Sequence, residues 1–140
     1  MSVAKNQRES YRWMRTALDD LRTARILKEH SQFAHSCFHA QQAGEKALKA
    51  LWFFHDADPW GHSLKKLLDE LDDVDQDLYE HCRRIHRQAL VLDRYYIPTR
   101  YPNGLPDITP DLAFEEADAA SCLEHAQQVV DLVADVIEYQ

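Results

Sequence analysis

Apolar side chains return every three or four positions along most of the chain, the period of a helix with one buried face. Over residues 8–29 the recurring set is Tyr11, Met14, Ala17, Leu18, Leu21, Ala24 and Leu27, which predicts a long amphipathic helix. His30 and Ser31 break it, and Ser31 is suited to cap a second helix over residues 32–56. Ala40, Ala43, Gly44, Ala47, Leu48 and Leu51 give that helix a face of small side chains, which lets a neighbour approach closely. Asp58-Pro59-Trp60-Gly61 is turn chemistry, and Ser63 caps a short third helix carrying Leu64, Leu67, Leu68 and Leu71.

A fourth helix is predicted over residues 75–97, with Leu78, Cys82, Ile85, Ala89 and Leu92 in one stripe, ending where Ile97 precedes Pro98. Residues 98–110 hold four of the five prolines and read as an ordered loop or lid. A last helix over residues 112–138 has Ala113, Ala117, Ala120, Leu123, Ala126, Val130, Val133 and Ile137 as its buried set. No repeat or low-complexity tract interrupts the order. The pattern predicts an all-α, up-and-down bundle of four main helices plus one short one, and 140 residues suit a single domain spanning 1–140.

Charge changes this picture more than composition does. The net charge is −8, yet residues 1–68 sum to +4, 69–80 to −7, 81–102 to +4 and 103–140 to −9. A surface that grips nucleic acid over its whole area is excluded, and any anion is expected at the two positive regions. The acidic final segment can instead steer a basic partner. Cys37, Cys82 and Cys122 are odd in number, far apart and set in apolar helical patterns, so they read as reduced core thiols. The first residues lack an apolar signal core and no apolar run approaches the ~20 residues of a membrane span, so the expectation is a cytoplasmic protein with no membrane contact.

Two constellations carry candidate chemistry. His35, His39, Gln42, Lys46 and Lys49 are spaced 4, 3, 4 and 3 along the second helix and share one side of it. Such a stripe can hold a phosphate or a base; it can equally be a solvated face in which Glu45 and Lys49 pair. Arg94, Thr99, Arg100 and Tyr101 join guanidinium groups, a hydroxyl and a ring, chemistry that binds phosphate and stacks a base. The competing reading has Arg100 paired with Asp93 or the acidic last helix, and the tyrosines at the core's edge. His62 can cap the third helix or face the Lys46/Lys49 stripe or Trp60. His35 and His39 have metal-ligand spacing without a third ligand, and neither a Gly-rich phosphate loop nor a Gly-x-Ser-x-Gly elbow occurs. The reading therefore assigns no catalytic residue, metal or cofactor.

The stretch Phe38-His-Ala-Gln-Gln-Ala-Gly-Glu-Lys-Ala-Leu-Lys-Ala-Leu51, then His62-Ser-Leu64 with Leu67-Leu68, then Asp93-Arg-Tyr-Tyr-Ile-Pro-Thr-Arg-Tyr-Pro102, resembles in order the signatures of HEPN domains (higher eukaryote and prokaryote nucleotide-binding domains). The last stretch is similar to the loop of one subgroup, and with residues 18–27 as the first helix the resemblance covers nearly the whole chain. It implies a bundle of four or five helices, often a homodimer, with nucleotide or RNA as ligand. It also implies a minimal nucleotidyltransferase as companion chain, in some cases as toxin and antitoxin. Trp52, Phe53, Phe54 and Trp60 near one end add an apolar surface suited to a homodimer contact. Members proposed to be ribonucleases carry an Arg-x4-6-His motif on a late helix. Here the match is Arg25-Ile-Leu-Lys-Glu-His30 at the end of the first helix, and in Arg83-Arg-Ile-His-Arg87 the histidine follows too soon. That departure argues against ribonuclease activity.

Overall fold

A computed structural model describes residues 3–140. It is all-α among the described residues, with α1 (Val3–Glu29), α2 (Phe33–Phe54), α3 (Leu64–Asp69), α4 (Gln76–Cys82), α5 (His86–Asp93), α6 (Pro110–Ala113) and α7 (Glu116–Val136). Short 3-10 turns follow α3 at Glu70–Asp73, join α4 to α5 at Arg83–Ile85 and punctuate the long loop at Pro102–Gly104.

The antiparallel pair α1 and α2 forms the bundle's main contact, and α7 packs chiefly on α2. Small residues make that closeness possible: Ala17 and Ala24 of α1 and Ala40, Ala43 and Ala47 of α2 are fully buried. Two buried serines clip the pair near its ends. Ser10 Oγ donates to the Ala50 carbonyl at 2.6 Å and Ser36 Oγ to the Ala24 carbonyl at 2.7 Å, so neither hydroxyl is buried without a partner. The Tyr11 hydroxyl bridges to the Ile137 and Glu138 carbonyls at 3.1 and 2.8 Å and fixes the end of α7 against α1.

Gly44 is where α2 meets the other layer. A Cβ there would lie 2.7 Å from Leu64 Cδ2 and 3.0 Å from Leu92 Cδ1, so glycine admits α3 and α5 onto α2. The Trp52 indole donates to the Leu67 carbonyl at 3.0 Å and closes the α2–α3 contact.

Helix ends depart from the sequence reading in several places, and two are simple shifts: α1 already includes Val3, and α5 ends at Asp93, four residues before the expected stop at Ile97. Ser31 does not cap α2: it adopts φ 61°, inside the reversal of the chain, and Gln32 holds the cap position without a side-chain bond. The predicted fourth helix is two helices joined by the turn at Arg83–Ile85, through which Leu78, Cys82, Ile85, Ala89 and Leu92 all remain buried. The last helix starts at Glu116, because Phe114 and Glu115 are extended and the Glu115 N–H donates to Asp118 Oδ2 at 2.8 Å. Glu116 and Asp118 also place negative charge at the positive end of the α7 dipole. The other predicted cap is present, Ser63 accepting from the Lys66 N–H, and Asp75, where the fourth helix was expected to start, caps α4 by accepting from the Leu78 N–H.

All three cysteines are free and buried. Burial pushes the Cys82 thiol up to about 11, which keeps it protonated and unreactive. A hydrogen bond to Cys37 and burial raise that of Cys122 further.

Candidate functional site

The stripe on α2 is not a solvated face. Lys46 Nζ reaches across to Asp20 of α1 at 2.6 Å, and His39 Nδ1 lies 3.1 Å from the same carboxylate. Burial alone would raise the pKa of Asp20. The hydrogen bonds from His39 and Lys46, with the attraction of both groups, outweigh that and hold it below its ordinary 3.8. Lys49 Nζ donates to Glu45 at 3.1 Å, so the predicted i,i+4 pair exists, but with side chains only 12% and 4% exposed. Gln42 donates to Gln41 Oε1 at 2.8 Å, while His35 is exposed.

Glu45 is the hub on the opposite edge of α2. It also accepts from Gln41 Nε2 at 3.3 Å and faces His62 Nδ1 at 3.3 Å. Gln41 and Glu45 are buried within the small-residue face, a polar pair one turn apart among Ala40, Ala43, Gly44, Ala47 and Leu48. A polar pair on an apolar helical face is a readable signal, since burying it is costly unless it bonds. Sequence reasoning had Glu45 only as the partner of Lys49 and Tyr96 only as a ring at the core's edge, and it singled out neither Gln41, Asp20 nor Phe38.

The long loop comes to this edge through His62. Its ring stacks on Tyr96 with centroids 5.1 Å apart and planes 20° apart; it does not cap α3, a position held by Ser63, and it meets the stripe side through Glu45. Trp60 is 79% exposed. Arg100 does not pair with Asp93 or α7. Asp93 instead receives the Leu64 and Lys65 N–H groups at 2.7 and 3.1 Å and the Ser63 hydroxyl at 2.8 Å, anchoring the start of α3. The Arg100 guanidinium packs on Phe38, Tyr96 and Tyr101 at 4.4, 4.5 and 5.0 Å, and its Nε donates to the Tyr96 carbonyl at 3.0 Å. Among the described residues no ion pair or other hydrogen bond engages its terminal nitrogens.

Thr99 is buried and its hydroxyl donates to the Tyr95 carbonyl at 2.6 Å, so it shapes the loop from inside. Tyr95 closes the loop's other side by donating to Asp118 at 3.2 Å. Burial, with Cys122 and the Asp118 carboxylate nearby, raises the pKa of its phenol and keeps it a donor. Arg94 and Tyr101 are exposed. The structure thus brings Lys49, Glu45, His62, Tyr96 and Arg100 into one connected cluster, leaves Lys46 with Asp20 on the other edge, and leaves Arg94 outside both.

The Arg25–His30 match forms no cluster: Arg25 bonds to Gln127 of α7, and His30 lies exposed beyond the end of α1. Among the described residues no group of three or more His, Cys, Asp or Glu is placed to hold a metal ion. No helix in the same residues is long and apolar enough to cross a membrane. The aromatic patch expected near Trp52 is divided, since Trp52 is core and Phe53 stacks on Trp13 at 5.4 Å.

The chain is thus an all-helical module with a polar seam along its second helix. The HEPN domain model matches residues 10–136, and the chain belongs to the HEPN family. Among solved structures, TT1696 from Thermus thermophilus is similar at 35% identity and TM-score 0.82, over 90% of this chain and 96% of that one. ST0689, an archaeal HEPN homologue, is 31% identical with TM-score 0.74, over 91% and 97% of the two chains. A HEPN domain protein, tm0613 from Thermotoga maritima, is 28% identical with TM-score 0.70, over 92% and 99%. No functionally curated protein matches the chain.

Proposed function

We propose that this HEPN domain is a nucleotide- or RNA-binding module whose site lies where α2 meets the long loop, and that it works as the companion of a minimal nucleotidyltransferase. The observation that carries this reading is Arg100. On a chain of net charge −8, its guanidinium lies within 4.4 to 5.0 Å of three ring centroids with its terminal nitrogens free of any acid. That is an immobilised fork for phosphate beside surfaces on which a base can stack. Arg94 and Tyr101 supply further charge and ring area at the rim, and Thr99 holds the loop in shape. On α2, Gln42 offers a two-way hydrogen bonder, and Lys46 and Lys49 contribute positive potential while paired with their carboxylates. No general base or nucleophile is assigned, and the reading is one of binding.

The test is a titration of the purified protein with labelled ATP, GTP and a short single-stranded RNA at low and moderate salt, with Arg100→Gln and Arg100→Lys alongside. Saturable binding that weakens with salt, falls at least about tenfold in Arg100→Gln and is only partly restored by lysine is expected, because lysine keeps the charge and loses the fork. Variants that bind as the parent does would remove the site.

A second reading has its own observation. Glu124, Asp131 and Asp135 are exposed along the outer face of α7, with Glu138 exposed just beyond its end, and none has a cationic partner among the described residues. A basic partner chain docked on this stripe, with no small ligand, describes an interaction or antitoxin-type protein. Co-purification with a nucleotidyltransferase that is lost when these four acids are neutralised, together with no nucleotide binding, would favour it.

A further inference from the structure

The cluster around Arg100 continues onto α1. Lys49 Nζ lies 5.8 Å over the ring of Trp13, and Trp13 stacks on Phe53 with planes 27° apart. Rings and charged groups are therefore linked in one connected series, from Arg100 and Tyr96 through His62, Glu45 and Lys49 to Trp13, with the Glu45 carboxylate at its middle paired to Lys49. Beyond Trp13, α1 presents Arg8, Arg12 and Arg15 at spacings of 4 and 3, all exposed and on one face. A groove of about 470 Å³ lies along it, lined by Glu9, Arg12, Trp13, Arg15, Thr16 and Lys46. Its one acid, Glu9, is already paired with Arg12 at 2.9 Å and accepts from the Trp13 indole at 3.1 Å. A second groove of about 460 Å³ shares Glu9 and Arg12, extends to Arg8 on its α1 side and has Asp56 and Asp58 on its far wall, which leaves the α1 side as the one that can take phosphate. Among the described residues no hydrogen bond or ion pair engages Arg8 or Arg15.

We propose that α1 extends the site along a single-stranded polynucleotide, so that the ligand is a polymer rather than a mononucleotide. Bases stack at the Tyr96–His62 and Trp13 ends, and backbone phosphates lie on Arg12, Arg15 and Arg8. This rests on the nucleotide-binding reading above. Phe38, on which Arg100 packs, and Lys49, which lies over Trp13, are about 16 Å apart along α2, and the arginine row adds about 10 Å of α1, a span longer than one mononucleotide. Phosphates spaced along a strand can cover it. The interleaved rings favour a strand with bases over an acidic peptide, because every base offers a face to stack while a carboxylate does not.

The experiment compares labelled ATP with labelled oligouridylates of about 4 and about 16 nucleotides, on the full chain and on the Arg8→Gln/Arg15→Gln variant, over a salt series. Both side chains are exposed and without described partners, so the variant should melt within a few degrees of the parent. The longer oligomer is expected to bind at least about tenfold more tightly than the shorter. In the variant that gain should disappear, with the slope of log K against log salt reduced by about 1.4 for two phosphate contacts, and ATP binding unchanged. Binding of ATP with no gain from length, or a variant equal to the parent on the long oligomer, would overturn the extension and leave the Arg100 site standing. Heparin competing as strongly as the long oligouridylate would show that charge alone is read and would overturn the role of the rings. No binding of any probe would bring down the nucleotide reading itself.

Discussion

The two edges of α2 carry the same triplet, a lysine, a carboxylate and a histidine, and put it to different uses. On the edge facing α1, Asp20 gathers Lys46 and His39 from a helix 19 to 26 residues away in sequence, so the triplet is a tie between helices. On the other edge, Glu45 gathers Lys49 from its own helix and His62 from the start of the α3 segment, with Gln41 completing its shell. The first carboxylate is 14% exposed and the second 4%. The difference teaches that partner geometry, not residue type, decides whether a charged triplet locks a fold or positions a surface. The Glu45 triplet ends in a ring that stacks on the loop, and the Asp20 triplet ends in solvent-bordering side chains.

The most severe way to break that comparison is Glu45→Ala. It strands Lys49 almost out of solvent and removes an acceptor from Gln41, and breaking a buried pair typically costs about 3 to 5 kcal/mol. A loss near the lower figure is expected in urea unfolding, since Lys49 can shift toward water. Glu45→Gln should lose much less, because an amide oxygen still accepts from the ammonium. Equal losses for the two variants would mean that Glu45 acts by packing, not by its charge.

Asp20→Asn comes next, at about 1 to 2 kcal/mol, because Lys46 remains able to reach water. The pH dependence gives the sharper signature. The folded-state pKa of Asp20 lies below the unfolded value near 3.8, so the unfolded chain takes up this proton first as the solution is acidified. The Asp20 contribution is therefore complete above about pH 4 and is lost as pH falls through the folded value. Urea midpoints of the parent should fall more steeply than those of Asp20→Asn below pH 4, and the two curves should run parallel above it. Parallel curves throughout would remove the tie.

How much of this the sequence disclosed follows the same divide. Periodic apolar residues located the main helices, and Ser63 and Asp75 marked two starts, because caps are local chemistry. The break before Glu116 was missed because an apolar stripe through Leu112 and Ala113 hid the Glu115–Asp118 bond. At the candidate site the residues on one helix face were legible, since spacing fixes them. Their partners were not: Asp20, Phe38, Tyr96 and Asp93 meet the stripe, Arg100 or Ser63 only after the helices pack, and spacing, which puts Asp20 rather than Asp19 beside the Ala17–Ala24 stripe, does not name Lys46 and His39 as its partners. Asp19 pairs with Arg22 on the exposed side of the same turn.

The smallest effect separates two arginines of the same loop. Arg100 lies against three rings and donates to the Tyr96 carbonyl, whereas Arg94 is exposed with no described partner. A cation over aromatic faces is worth about 0.5 to 1 kcal/mol where solvent still reaches it. Arg100→Ala should therefore lose about 1 kcal/mol, with the carbonyl contact included, and Arg94→Ala should stay within about 0.5 kcal/mol of the parent, as exposed substitutions do. Because the Arg100 contacts fasten the loop to Phe38 of α2, limited proteolysis should cut residues 97–109 faster in Arg100→Ala than in Arg94→Ala. Indistinguishable cleavage would mean that Thr99 and Tyr95, bonded inside the loop, hold it without the guanidinium. Arg100 would then be left with ligand contact as its remaining use, and the loop edge of α2 would be the functional one of the two.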